Sequence, residues 1–175
     1  MSAFPATLVS AALENPSAAL AGTNLEITLP LTRSLLNEVL AARPANTPVR
    51  ELLIDPDARN RFRVFLTANA PVVGSISRKI MFAPQLPVTF PDQPWLRFDI
   101  IEGLGFLDRS LISALQGVIE SKLPKGVELT SKYLRLHVPA LLNHLGYQQL
   151  VPLIRHLEVR SEANRLLLLL HLQAE

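Results

Sequence analysis

The chain has 175 residues, the length of one domain, and no cysteine, which excludes disulfide and thiolate chemistry. Apolar residues make up 49% and charged ones 18%, while 17 cations against 15 anions leave a net charge of +2, too little for a nucleic-acid surface. The longest leucine run, Leu166–Leu170, falls far short of the roughly 18 apolar residues of a membrane span.

Residues 1–23 are rich in Ala and Pro and read as a segment ahead of a single α+β domain over 24–175. A short helix is expected near Thr7–Leu13. Residues 1–32 hold no Lys or Arg, so the basic start of a secretory signal is missing. That favours a cytoplasmic protein, or a periplasmic one if the natural sequence starts earlier. Leu25, Ile27 and Leu29 alternate with polar residues and predict a strand that Pro30 should end. Thr32 is placed to cap a helix over Arg33–Arg43, with Leu35, Leu36, Val39 and Leu40 on one stripe. A loop over Ala42–Pro48 follows.

Two strands, Val49–Asp55 and Arg61–Thr67, are joined by the turn-rich Pro56–Asn60 and predict a hairpin. Strands over Ser75–Phe82 and Trp95–Ile101 flank a loop with four prolines, Ala83–Pro94, which should lack ladder bonds. Leu107–Leu123 has the best helical pattern in the chain, with Leu111, Leu115 and Val118 on its apolar stripe and Gly126 just past its end. Val127–Val138 reads as one strand. Pro139 opens a helix broken near Gly146 and Pro152. Arg155–Val159 and Arg165–Gln173 form a closing hairpin.

Two stretches resemble each other. In "VRELLIDPDARNRFRVFLTA" and "IRHLEVRSEANRLLLLLHLQ", Arg50 meets Arg155, Leu52 meets Leu157, and Asn60–Arg61 meets Asn164–Arg165. Upstream, "LEITLP" and "LRLHVP" each precede an apolar helix. The unit is strand, proline, helix, hairpin. The fold expected is α+β: a mainly antiparallel, strongly curved sheet wrapped around or packed on two long amphipathic helices.

One face of such a sheet packs on the helices, and the other should be polar. Arg61, Arg63 and Thr67 obey, but Phe65, Met81, Trp95, Ile101, Leu167 and Leu169 break that face. Two explanations fit. A surplus apolar interior holds an elongated hydrophobic ligand, or the second face is covered by the N-terminal segment or by another subunit, as in a homodimer. Burying roughly 300 Å² of acyl chain gives about 7–8 kcal/mol before binding costs.

The stretches "LEITLPLTRSLLNEVLAAR", "LDRSLISALQGVIESKLPKGVEL" and "IRHLEVRSEANRLLLLLHLQ" resemble bacterial members of the tubular lipid-binding (TULIP) superfamily, whose curved sheet wraps a long helix with lipid between. The resemblance spans about residues 24–173 and rests on apolar spacing. It implies carriage of a lipid or other hydrophobic molecule, without catalysis.

Chemical motifs are sparse. None of His137, His144, His156 and His171 makes a helical i, i+4 zinc pair. Asp55-Pro56-Asp57 reads as turn chemistry. "EGLG" at Glu102–Gly105 reads as a flexible turn before a helix. Arg59, Arg61, Arg63, Arg78 and Lys79 could form a basic strip against lipid headgroups, which would allow peripheral membrane contact, or a solvated face. No catalytic residue, metal ligand or cofactor is expected. The lining expected for a lipid or fatty-acyl chain is Leu35 and Val39 from the first helix, and Leu111, Leu115 and Val118 from the second. From the strands it is Phe62, Val64, Leu66, Ile80, Phe98, Leu166, Leu168 and Leu170.

Overall fold

A computed structural model describes residues 18, 21–41, 49–70, 74–85, 87–105 and 125–174. Among these, strands β1 (Asn24–Thr32), β2 (Val49–Asp57), β3 (Arg61–Ala70), β4 (Gly74–Pro84) and β5 (Val88–Thr89) precede β6 (Trp95–Glu102), β7 (Val127–Leu129), β8 (Tyr133–His137), β9 (Ile154–Glu162) and β10 (Arg165–Gln173). Helix α1 is Arg33–Ala41, α2 is Val138–His144, and a 3-10 helix runs Gln148–Leu153.

The strands form two antiparallel sheets. Sheet A has the order β1-β10-β9-β5 and sheet B the order β2-β3-β4-β6-β8-β7. This corrects the expected fold class. The described helices are nine and seven residues long, so among the described residues the protein is mostly β and neither sheet packs on two long helices. The physical reason is visible in the core: what meets sheet B is another sheet. Leu166 of β10 packs with Phe62, Phe82 and Phe98 of β3, β4 and β6. The three rings interlock, Phe62 stacked on Phe82 at 5.5 Å and edge-on to Phe98 at 5.6 Å. A second cluster joins Val88, Val138, Ile154 and Leu157 at the other end of sheet A. The helices expected over Thr7–Leu13 and Leu107–Leu123 lie outside the described residues.

Helix α1 seals an edge instead of filling a centre. Thr32 Oγ1 accepts the Leu35 N–H at 3.3 Å, the capping bond expected from the sequence. One turn on, the Asn37 amide pairs with edge strand β2: Ile54 N–H donates to its Oδ1 at 2.7 Å, and its Nδ2 donates to the Ile54 carbonyl at 3.0 Å. An amide side chain there does the work of a neighbouring strand.

Three local expectations change. Strand β1 runs through Pro30 to Thr32. Arg33 N–H donates to the Asn164 carbonyl and Ala174 N–H to that of Thr23, so the odd-numbered residues carry the ladder to β10. Alternation turns the backbone of Pro30 to the open side of this edge strand, where a missing N–H costs no ladder bond. The stretch expected as one strand over Val127–Val138 is a hairpin, β7–β8. Thr130 Oγ1 accepts the N–H groups of Lys132 and Tyr133 and closes its turn. The proline-rich loop does carry ladder bonds, because Val88 and Thr89 pair with Leu157 and His156.

The repeated unit appears as topology: strand, helix and hairpin over β1-α1-β2-β3, and again over β8-α2-β9-β10. Asn60 and Asn164, matched in the sequence, both adopt positive φ, 54° and 65°, next to their hairpin turns. Pro56 and Asp57, expected in a turn, belong to β2. The two hairpin tips then dock. Ser161 N–H donates to Asn60 Oδ1 at 2.8 Å, its hydroxyl is shared between the Asp57 and Arg61 carbonyls, and Asn164 N–H donates to the Pro56 carbonyl at 3.2 Å. Ser161 is buried there.

Candidate functional site

Period-two alternation divides each sheet into an inward and an outward face. On sheet A the inward row of β10 is Leu166, Leu168, Leu170 and Leu172. Register places Leu31, Leu29, Ile27 and Leu25 of β1 beside them. On sheet B, Val64 of β3 and Ile80 of β4 are opposite each other on the same face as Phe62. The space between the sheets is therefore lined by aliphatic side chains on both sides.

This interior is unevenly closed. At one end Leu166 is buried among the phenylalanines. Along the same face Leu168 and Leu170 are half-buried, although β10 is a central strand. At the margin, Leu25 and Leu29 of β1 also face inward, yet they are 38% and 43% exposed. The apolar interior thus opens to water along β1.

The expected lining divides accordingly. Phe62, Phe98 and Leu166 are buried in the first cluster, with Val64 and Ile80 packed against them. Leu168 and Leu170 pack against the second. Leu66 is half-buried two residues along β3 from Val64. Leu35 and Val39 do not join them: they are 43% and 64% exposed, and Leu36 is the α1 residue that reaches the core. Leu111, Leu115 and Val118 lie outside the described residues. Sequence reasoning missed the inward row of β1 as part of the lining, although its alternation was readable.

Of the apolar residues that break the outward faces, Ile101 stays 41% exposed and the others have neighbours beside them. The Lys79 ammonium lies over the Phe65 ring at 5.8 Å, and the Arg135 guanidinium over Trp95 at 4.4 Å. Met81 is buried between its register partners Arg63 and Glu102. Leu167 sits between Pro30 and Arg160, and Leu169 between Thr28 and Glu158. Long charged side chains laid over the rings account for Phe65 and Trp95.

The basic strip is partly neutralised. Arg63 bridges Asp55 at 2.9 Å and Asp57 at 2.5 Å, and Arg33 reaches Asp55 at 3.1 Å. Gly103 of the "EGLG" stretch has a steric role: a Cβ there would stand 2.0 Å from the Lys79 carbonyl oxygen. His137 caps α2, its Nδ1 accepting the Ala140 N–H at 3.2 Å, with its ring on Trp95. Among the described residues no helix is long and apolar enough to cross a membrane. Comparison with protein-family models, with curated proteins and with solved structures finds no match to this chain.

Proposed function

We propose that the protein is a non-enzymatic binder or carrier of an elongated hydrophobic molecule, such as a fatty-acyl chain, held between the two sheets. One observation carries this reading: the inward-facing Leu25 and Leu29 remain 38% and 43% exposed, leaving the aliphatic interior open along β1. An acyl chain laid against these residues and on towards Leu168 and Leu170 would remove water from both partners. Burying roughly 300 Å² of it contributes about 7–8 kcal/mol before association costs.

The test is native mass spectrometry and solvent extraction of the purified protein, followed by titration with a fluorescent fatty acid. One bound chain per protein is expected, with uptake weakened in Leu29→Asp. No co-purified lipid together with no saturable uptake would end this reading.

A second reading has its own observation. Strand β1 is a nine-residue edge, whereas β5 and β7 are edges of two and three residues and β2 is paired by Asn37. A long open edge can add a strand from another copy and so cover Leu25 and Leu29. Sedimentation equilibrium separates the two: a lipid-free dimer favours assembly, and a lipid-loaded monomer favours carriage.

A further inference from the structure

The first turn of α2 is closed by an imidazole. Val138 N–H donates to the Pro94 carbonyl at 3.0 Å, Pro139 has no N–H to satisfy, and Ala140 N–H donates to His137 Nδ1 at 3.2 Å. A histidine accepts such a bond only while Nδ1 carries no proton. The ordinary caps Ser, Thr, Asp and Asn keep an acceptor oxygen between about pH 8 and 5, whereas an imidazole gains its charge in that range. His137 is half-buried, so its ring is within reach of water. Its backbone is tied separately, with its N–H on the Gly126 carbonyl at 2.6 Å.

We propose that His137 is an acid-released latch on α2. At high pH the neutral imidazole holds the first turn. As pH falls, Nδ1 takes a proton, a donor then faces a donor, and the Ala140 N–H loses its cap. What is loosened covers the apolar interior. Val138 is buried, and Leu142 packs with it in the cluster that takes in Leu168, Leu170 and Leu172 of β10. Acid thus eases the cover at that end of the aliphatic space. Its use in releasing a hydrophobic cargo rests on the carriage reading, whereas the latch itself does not.

The charges around the ring do not offset the lost bond. Trp95 of β6 lies against it with ring centroids 4.8 Å apart, but the Arg135 guanidinium of β8 already stands over Trp95 at 4.4 Å, so an imidazolium would share the indole with a like charge. The carboxylates on these strands are engaged: Glu128 of β7 binds Arg135 at 2.6 Å, and Asp99 of β6 binds Arg97 at 2.7 Å. Asp92 and Lys125, near Pro94 and Gly126 in the chain, are exposed and opposite in sign. On α2 the titratable group is His144, at the far end of the helix. The peptide dipoles at a helix start also oppose a cation there.

Trp95 is the one tryptophan of the chain and reports on the ring, because a protonated imidazole quenches an adjacent indole. The test follows Trp95 emission and amide hydrogen exchange in α2 on the full chain, between about pH 8 and 5. His137→Asn supplies a cap that does not titrate. Parent emission should fall through a titration that His137→Asn abolishes. Over the same range the opening of Ala140, corrected for intrinsic exchange, should rise about two- to thirtyfold in the parent, the span of a lost N-cap, and stay constant in His137→Asn. If the variant folds poorly, the parent's His137 ring resonance takes its place and must share its midpoint with Ala140 exchange. Constant Ala140 protection while His137 titrates, or no titration belonging to His137, overturns the latch. Neither measurement uses a fatty acid, so its failure and the failure of carriage are read separately.

Discussion

Gly103 and Gly74 share a backbone region, with φ of +99° and +79°, but not an environment. A Cβ on Gly103 would stand 2.0 Å from the Lys79 carbonyl oxygen and 2.8 Å from Ile80 Cα, and both atoms are backbone with nowhere to go. On Gly74 it would meet nothing within 4 Å. Gly74→Ala should therefore cost only backbone strain, about 1–2 kcal/mol. Gly103→Ala adds a forced shift of β4, worth about 1–3 kcal/mol more. Urea midpoints of the two variants check this, and equal losses would mean the close approach of Gly103 to β4 is not maintained. Asn37 provides a second test. Asn37→Ala leaves the Ile54 N–H and carbonyl half-buried without partners and should cost about 1–3 kcal/mol. Asn37→Asp keeps the acceptor but turns a carboxylate oxygen against the Ile54 carbonyl, so it should rescue little.

At the scale of elements, most strands were legible because each keeps one apolar row at every second position, even where the opposite row is mixed, and α1 was legible because Thr32 precedes its stripe. The matched Asn-Arg pairs were a true signal: both asparagines sit in the left-handed region that their turns need. What the alternation could not show was neighbours. Period two tells which side chains share a face but not which strand lies beside which, so one curved sheet and two facing sheets read alike. The same limit hid which residues of β9 and β10 stand opposite each other. Had the Ala163–Asn164 turn been counted outward, Glu162 would fall opposite Arg165 and His156 opposite His171, as observed. The docked hairpin tips follow from the repeat and make a coupled unit. Ser161→Ala removes the hydroxyl shared by two carbonyls, and Asn60→Gly keeps the turn geometry but removes the acceptor for Ser161 N–H. Each should cost about 1–3 kcal/mol. In a double-mutant cycle the two should couple by about 0.5 kcal/mol or more, whereas additivity would show the tips to be independent.

At the scale of the molecule, sheet A joins the first described strand to the last hairpin: Asn24 pairs with Gln173 across nearly the whole domain. Its inward face is tight at Leu166, looser at Leu168 and Leu170, and wet at Leu25 and Leu29. A fully packed sandwich would show no such gradient along a central strand, because facing side chains normally interdigitate to crystal-like density. Adding volume to the same strand at two depths therefore tests whether the interior has room. Leu166→Trp forces a larger ring among Phe62, Phe82 and Phe98 and should lose about 1–3 kcal/mol of stability. Leu170→Trp should be nearly neutral in urea unfolding, because the ring can occupy space that an acyl chain would take. It should also reduce fatty-acid uptake, since filler and ligand compete for one volume. If Leu170→Trp destabilises as much as Leu166→Trp, the interior is already full and the space for a ligand is not there. If it is neutral and uptake is unchanged, the ligand lies elsewhere, and the open margin of β1 is better explained by a strand added at its edge.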